Sequence, residues 1–270
     1  MMRQMRNILI GLFCLAAIVT GCQANETSSG QPNQAASSAS SASGKGAETS
    51  LLRIGWQDGG FPSPFAFSAS GPGGFLRNSF LFDTLTWKDE QGVIPWLAKS
   101  WEVSDDGLVY TFELEQGVKW HDGQDFTADD VVFSFAYYKQ HPFMWTGDVS
   151  LIKDVQKIDE HTVRFVLHQK YAPFLSDLVG IVPVIPQHIW ENVDKPLEFR
   201  EPAALVGTGP YLLKEYDEAS GQYLFEANEN FFKGDVVVKQ IAYLNVQNRV
   251  LALQQNEIDA GMVMNYREAE

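Results

Sequence analysis

From residue 51 onward, apolar and polar positions alternate at changing periods along the chain, and each change of period marks an element. Leu51 to Trp56 is a short apolar run that reads as a buried strand and breaks at Asp58-Gly59-Gly60. Leu76 to Leu85 reads as a helix that delivers the chain to a strand at Thr84 to Trp87, with a turn over Lys88 to Gly92. Trp101 to Val103 and Leu108 to Leu114 are strand-like and are separated by Ser104-Asp105-Asp106-Gly107, where Asp-Gly supplies the positive φ of a tight hairpin. In the second of these runs Leu108, Tyr110, Phe112 and Leu114 alternate with Val109, Thr111 and Glu113, the pattern of a half-buried antiparallel strand.

The clearest helix opens at Thr127. Its hydroxyl suits the N-cap, Asp129 and Asp130 fall in the first turn where the helix dipole favours negative charge, and Val131, Val132, Phe135 and Tyr138 follow at helical spacing. A second hairpin is predicted from Ile152 to Ile158 and Thr162 to Leu167, joined at Asp159-Glu160-His161. Short helices are predicted at Tyr171 to Leu178 and at Pro186 to Asn192, the latter opened by proline. Past Gly207 come strands at Tyr211 to Tyr216 and Gln222 to Ala227 around a Ser220-Gly221 turn. A strand at Ile241 to Val246, an amphipathic helix at Asn248 to Asn256 and Ile258-Asp259-Ala260 complete the pattern. Strands interleaved with helices in this way predict an α/β, mixed α+β fold with more than one sheet.

Residues 61 to 75, FPSPFAFSASGPGGF, interrupt this regularity. Pro62, Pro64 and Pro72 remove backbone donors, so the segment reads as a loop that carries Phe61, Phe65, Phe67 and Phe75. Aromatic loops on a rigid strand line binding clefts. The other reading is that the rings cover the edge of the core.

The N-terminal region has a different composition. Arg3 and Arg6 precede an apolar run from Ile8 to Val19, and Val19-Thr20-Gly21-Cys22 ends it with small residues, as in an export signal. The run is too short to span a bilayer, which takes about 20 residues. The sequence around Cys22 resembles the lipobox of bacterial lipoproteins, which implies cleavage before Cys22 and acylation of its thiol; two or three acyl chains give a lasting anchor where one does not. Residues 23 to 50 are dominated by Ser, Ala and Gly with no aromatic or branched apolar residue, and read as a flexible tether. The expected organisation is therefore a signal over 1–22, a tether over 23–50 and a folded part over 51–270.

Cys14 and Cys22 are the only cysteines, so a chain cleaved at Cys22 keeps no thiol for a disulfide, a zinc cluster or a nucleophile. A composition of 45% hydrophobic and 13% aromatic residues is enough for one large or two modest cores. A formal charge of −14 argues against nucleic acid and anionic membrane surfaces, both of which reward clustered Lys and Arg. There is no HExxH, GxSxG or glycine-rich phosphate loop, and Gly207-Thr208-Gly209-Pro210 lacks the Lys and following helix that a phosphate cradle needs. His121, beside Asp122, reads as a turn residue with a satisfied imidazole. His161 and His168 fall on opposite faces of a strand pattern and do not share an ion. A hydrolase built on Asp122 and Asp125 would need a paired acid and base in a pocket. The chain reads as a non-enzyme without a metal or cofactor.

The run LAKSWEVSDDGLVYTFELEQGVKWHDGQDFTADDVVFSF, residues 97–135, resembles the signature of the family 5 extracellular solute-binding proteins, the peptide, oligopeptide and nickel receptors of ABC importers. Residues 207–234, 241–261 and the Leu51 strand leading to Phe82-Asp83-Thr84-Leu85 resemble the same family in the same order. The resemblance implies a type II periplasmic-binding-protein-like lobe with a small inserted domain at roughly 87–200, and a second lobe that this chain lacks, so that it reads as part of a longer receptor or a truncated copy. It implies a monomeric lipoprotein, held outside the cytoplasm, that captures a peptide or related small solute and passes it to an ABC permease. A sensory or adhesive lipoprotein on the same scaffold is the alternative. Ligand contacts are expected from Ser63, Pro64, Phe65 and Phe67 in the loop after the first strand and from Met144 and Trp145 after the capped helix; each of these can equally serve packing.

Overall fold

The computed structural model describes residues 50–56, 60–65, 78–142 and 147–261. Cys22, Phe67, Met144 and Trp145 lie outside them, as do the signal and all but the last residue of the tether. Eleven strands and three α-helices among the described residues form two main sheets and a hairpin.

The larger sheet has five strands in the order β11-β1-β10-β9-β8. They are β1 (Leu51–Trp56), β8 (Tyr211–Asp217), β9 (Gln222–Ala227), β10 (Gln240–Asn245) and β11 (Ala260–Gly261). β1 runs parallel to both β10 and β11, whereas β9 is antiparallel to β10 and to β8. Arg53 secures the β11 side: its backbone N–H and guanidinium donate to the Asp259 carboxylate at 2.8 to 3.1 Å, and Asp259 N–H donates back to the Arg53 carbonyl.

Between β1 and β8 the chain builds a hairpin, the second sheet and the first two helices. β2 (Thr86–Asp89) and β3 (Gly92–Pro95) make a separate hairpin. β4 (Ala98–Val103), β5 (Val109–Leu114), β6 (Ile152–Asp159) and β7 (Thr162–Leu167) form an antiparallel sheet in the order β4-β5-β7-β6. Gly107, at φ 65°, turns the β4–β5 hairpin as its sequence predicts. On β5 the alternation is realised: Tyr110, Phe112 and Leu114 are buried and Glu113 is exposed.

Helix α1 (Ala128–Gln140) covers this second sheet. Thr127 caps it, accepting from Asp129 N–H, and Asp130 in turn accepts from Thr127 N–H at 2.9 Å, a complete capping box. Val131, Ser134, Phe135 and Tyr138 form the buried stripe, and the Phe135 ring meets Phe165 edge to face at 4.9 Å. The other Asp130 oxygen accepts from Gln187 N–H, joining α1 to α2 (Gln187–Trp190), for which Pro186 is the N-cap. Tyr171 to Leu178 departs from the α-helix expected there: only Phe174–Leu178 is helical, as a π-helical turn. α3 (Arg249–Gln254) is capped by Asn248.

The helix expected from Leu76 to Leu85 does not continue past Asn78 among the described residues. Asn78 carbonyl accepts from Leu81 and Phe82 N–H, which makes a single turn, and the chain then extends. Its neighbours use the backbone groups that a helix would keep for itself. Phe80 and Leu81 carbonyls accept from Tyr211 and Gly209, Asp83 carbonyl from Val184, and Thr84 and Leu85 carbonyls from Leu97 and Ala98. Residues 80–86 are buried throughout, so no polar face exists for an amphipathic helix. Gly207 lies so close that a Cβ there would overlap the Leu81 carbonyl oxygen.

Asp83 fastens this run through its side chain. One oxygen accepts from Trp96 Nε1 at 2.6 Å and the other from the Thr208 hydroxyl at 2.7 Å. Burial raises its pKa to about 6, against the pull of those two donors and of Lys233.

Replacing Thr127 with Ala should cost about 1 kcal/mol in urea unfolding, with Ser in its place restoring most of the loss. Asp83 should titrate near 6 by carboxyl-carbon NMR, against an ordinary 3.8. Its folded pKa is raised, so the stabilising effect of its proton is complete below 3.8 and is lost as pH rises through 6, on the order of 3 kcal/mol for a shift of about two units. Asp83→Asn should flatten stability across that window; an unshifted midpoint would mean that water reaches the carboxylate.

Candidate functional site

β1, β8, β10 and β11 all finish at one end of the five-stranded sheet, at Trp56, Asp217, Asn245 and Gly261. In open α/β sheets ligands bind outside the carboxyl ends of the strands. Aromatic side chains collect at this end. Tyr216 and Tyr223 are cross-strand partners with rings stacked at 5.0 Å, Phe61 meets Tyr216 edge to face at 6.1 Å, and Trp56 meets Tyr243 at 6.3 Å. Tyr223 and Tyr243 are buried in the sheet; Trp56, Phe61 and Tyr216 are half-buried and present surface.

Residues 60–65 cross this end and are tied down. The Tyr223 hydroxyl donates to the Gly60 carbonyl at 2.7 Å, and Ser63 N–H donates to the Phe61 carbonyl at 2.9 Å. Asn245 side-chain N–H donates to the Ser220 carbonyl, fixing the β8–β9 turn against the end of β10. In that turn the Asp217 carboxylate is held below its usual pKa, chiefly by the Ser220 hydroxyl.

Of the residues expected to touch ligand, Ser63, Pro64 and Phe65 are buried in the protein. Phe65 is 2% exposed, its ring enclosed by Tyr137, Tyr138 and Trp190 at 5.3 to 5.8 Å. Its ring packs the α1 face, and the expectation that it lies open to a ligand does not match its place in the fold. Among the described rings of this loop, Phe61 is the one at the sheet end. Trp56, Tyr216, Tyr223 and Tyr243 were not singled out from sequence, yet one signal was there: a hairpin turn at Ser220-Gly221 sets Tyr216 opposite Tyr223.

The charged residues weighed for chemistry are engaged in contacts elsewhere. Asp122 accepts from His188 at 2.8 Å and Asp125 pairs with Lys119 at 2.5 Å, so the two carboxylates face different partners. The His121 ring lies between two backbone groups of residues 207–210. Among the described residues no group of three His, Cys, Asp or Glu side chains is placed to hold a metal ion, and no helix is long and apolar enough to cross a membrane.

Residues 92–268 match the family model described as bacterial extracellular solute-binding proteins, family 5 Middle, and the chain belongs to that family. It is 41% identical over 152 residues to a dipeptide-binding protein of Escherichia coli, covering 47% of this chain and 28% of that one. With the oligopeptide-binding protein AppA of Bacillus subtilis it shares 30% identity over 254 residues, 90% of this chain and 44% of the relative. Among solved structures, NikZ from Campylobacter jejuni in complex with Ni(L-His) superposes with a TM-score of 0.67 at 28% identity, over 80% of this chain and 43% of NikZ. The chain thus spans less than half the length of these relatives, and its fold is that of periplasmic binding proteins.

Proposed function

We propose that this chain forms one wall of a non-catalytic receptor that captures peptides outside the cytoplasm and passes them to an ABC permease. The observation that carries this reading is the set of half-buried rings, Trp56, Phe61 and Tyr216, at the carboxyl end of the sheet in a member of a solute-binding family. Rings at the mouth of a cleft pack the side chains of varied peptides, because every apolar side chain gains from leaving water. Pro62 and Pro64 remove two donors from residues 60–65, which leaves a segment rich in carbonyl acceptors. Such a segment suits the N–H groups of a peptide. Release and uptake follow from preferential binding to a closed form, with no bond broken in the ligand. Acylated Cys22, on the tether over 23–50, would hold a monomeric receptor at the membrane surface close to its permease.

Calorimetric titration of the product of the whole reading frame with di-, tri- and oligopeptides, and with Ni(L-His), tests the ligand class. Saturable peptide binding is expected, weakened about tenfold by Tyr216→Ala or Phe61→Ala, a loss of about 1.4 kcal/mol, with the peptide recovered intact. Binding of Ni(L-His) alone, or cleavage of the peptide, would replace this reading. The anchor is tested separately: wild-type protein should incorporate labelled fatty acid and sediment with membranes, and Cys22→Ser should do neither. Equal labelling of both would rule out Cys22 as the acylated residue.

A further inference from the structure

The crosspiece at residues 207–210 holds a histidine that ligand capture does not use. Gly207 N–H donates to His121 Nδ1 at 3.2 Å, so Nδ1 carries no proton and the ring has its single N–H at Nε2. Nε2 lies 3.0 Å from the Gly209 carbonyl, which accepts that proton. The two backbones are joined as well, His121 N–H donating to the Gly207 carbonyl at 2.8 Å. The neutral Nε2–H ring meets both contacts, with the Leu205 carbonyl a further backbone acceptor beside it. An imidazolium has two donors and no acceptor, and its Nδ1–H would face the Gly207 N–H head on.

The surroundings favour the neutral form at ordinary pH. Burial pushes the His121 pKa down, and the Gly209 and Leu205 carbonyls and the Asp122 carboxylate pull it back less strongly. Asp122 is itself engaged with His188. On the far side of the crosspiece, Thr208 donates to Asp83, which Trp96 also meets, and Lys233 acts on Asp83 while paired with Glu115 at 2.8 Å. The crosspiece also grips the 80–83 run through Gly209 N–H on the Leu81 carbonyl, and then enters β8 through Tyr211 N–H on the Phe80 carbonyl.

We propose that residues 207–210 are an acid-sensitive latch: a solvent proton taken up at His121 Nδ1 removes the acceptor of Gly207 N–H, and the crosspiece releases the 80–83 run. The inference rests on this geometry and is independent of the ligand captured. Its sign is fixed, because a lowered folded pKa means stability that is present above the ordinary histidine value of 6.5 and is lost as pH falls through the folded one. Asp83 titrates in the opposite sense, so the stability of the whole molecule mixes the two and a local measurement is needed.

Nitrogen NMR of the histidine rings in the full chain should show His121 as the Nε2–H tautomer at neutral pH. Amide exchange at Gly207, corrected for the intrinsic rate, should then report local opening that rises about tenfold per pH unit as acidification approaches the His121 midpoint, and levels off below it. The amide of Phe135 in α1 should stay flat, and His121→Gln should abolish the pH dependence at Gly207. An Nδ1–H tautomer, or Gly207 opening that ignores the His121 titration, would overturn the latch; both are read on the wild-type chain, so the test remains decisive even if the variant fails to fold.

Discussion

Residues 80–86 are the constraint around which the rest is assembled. This extended run is buried on every side, and such a segment is tolerable only if its peptide groups find partners. They find them in three separate stretches, at 97–98, at 179 and 184, and at 209 and 211. The strand hairpins and the crosspiece are therefore positioned by one another's unmet hydrogen bonds, with the Asp83 carboxylate as the single charged fastener. Breaking a buried carboxylate's contacts leaves its donors unpaired, which costs more than an average hydrogen bond contributes. That is why an acidic residue with a raised pKa persists in the centre of a core.

Local chemistry was legible wherever it dominates. The Thr127 cap, the Asp-Gly turn at Gly107 and the alternation on β5 each describe interactions within a few residues, and each formed as the sequence predicts. The helix expected from Leu76 to Leu85 stops at Asn78 among the described residues because the conformation of 80–86 is set by partners up to about 130 positions away, which no window on the sequence contains. The candidate site was read in part for the same reason. The aromatic loop announced itself by its prolines, but which ring stays at the sheet end and which enters the core depends on where α1 packs. Phe61 and Phe65 are four positions apart and met opposite fates.

The division of labour between the two sheets follows from these contacts. The four-stranded sheet and α1 enclose a dense aromatic core of Phe112, Phe135, Phe165 and Phe174, and their outer faces carry ordinary surface charge. The five-stranded sheet gathers its strand ends, its half-buried rings and the loop at 60–65 in one place. A rigid scaffold with adaptable groups at one end is the arrangement expected of a receptor in this family.

The position of β1 between β11 and β10 has a consequence for how the chain reaches this fold. Its partners β10 and β11 come at the far end of the described sequence, and the Arg53–Asp259 clamp joins positions 206 apart. The hairpins β4–β5 and β6–β7 close over short loops and can form early, whereas β1 waits as an unpaired apolar strand until β10 and β11 have been made. Until then the chain carries an open strand edge, the state in which β segments recruit one another.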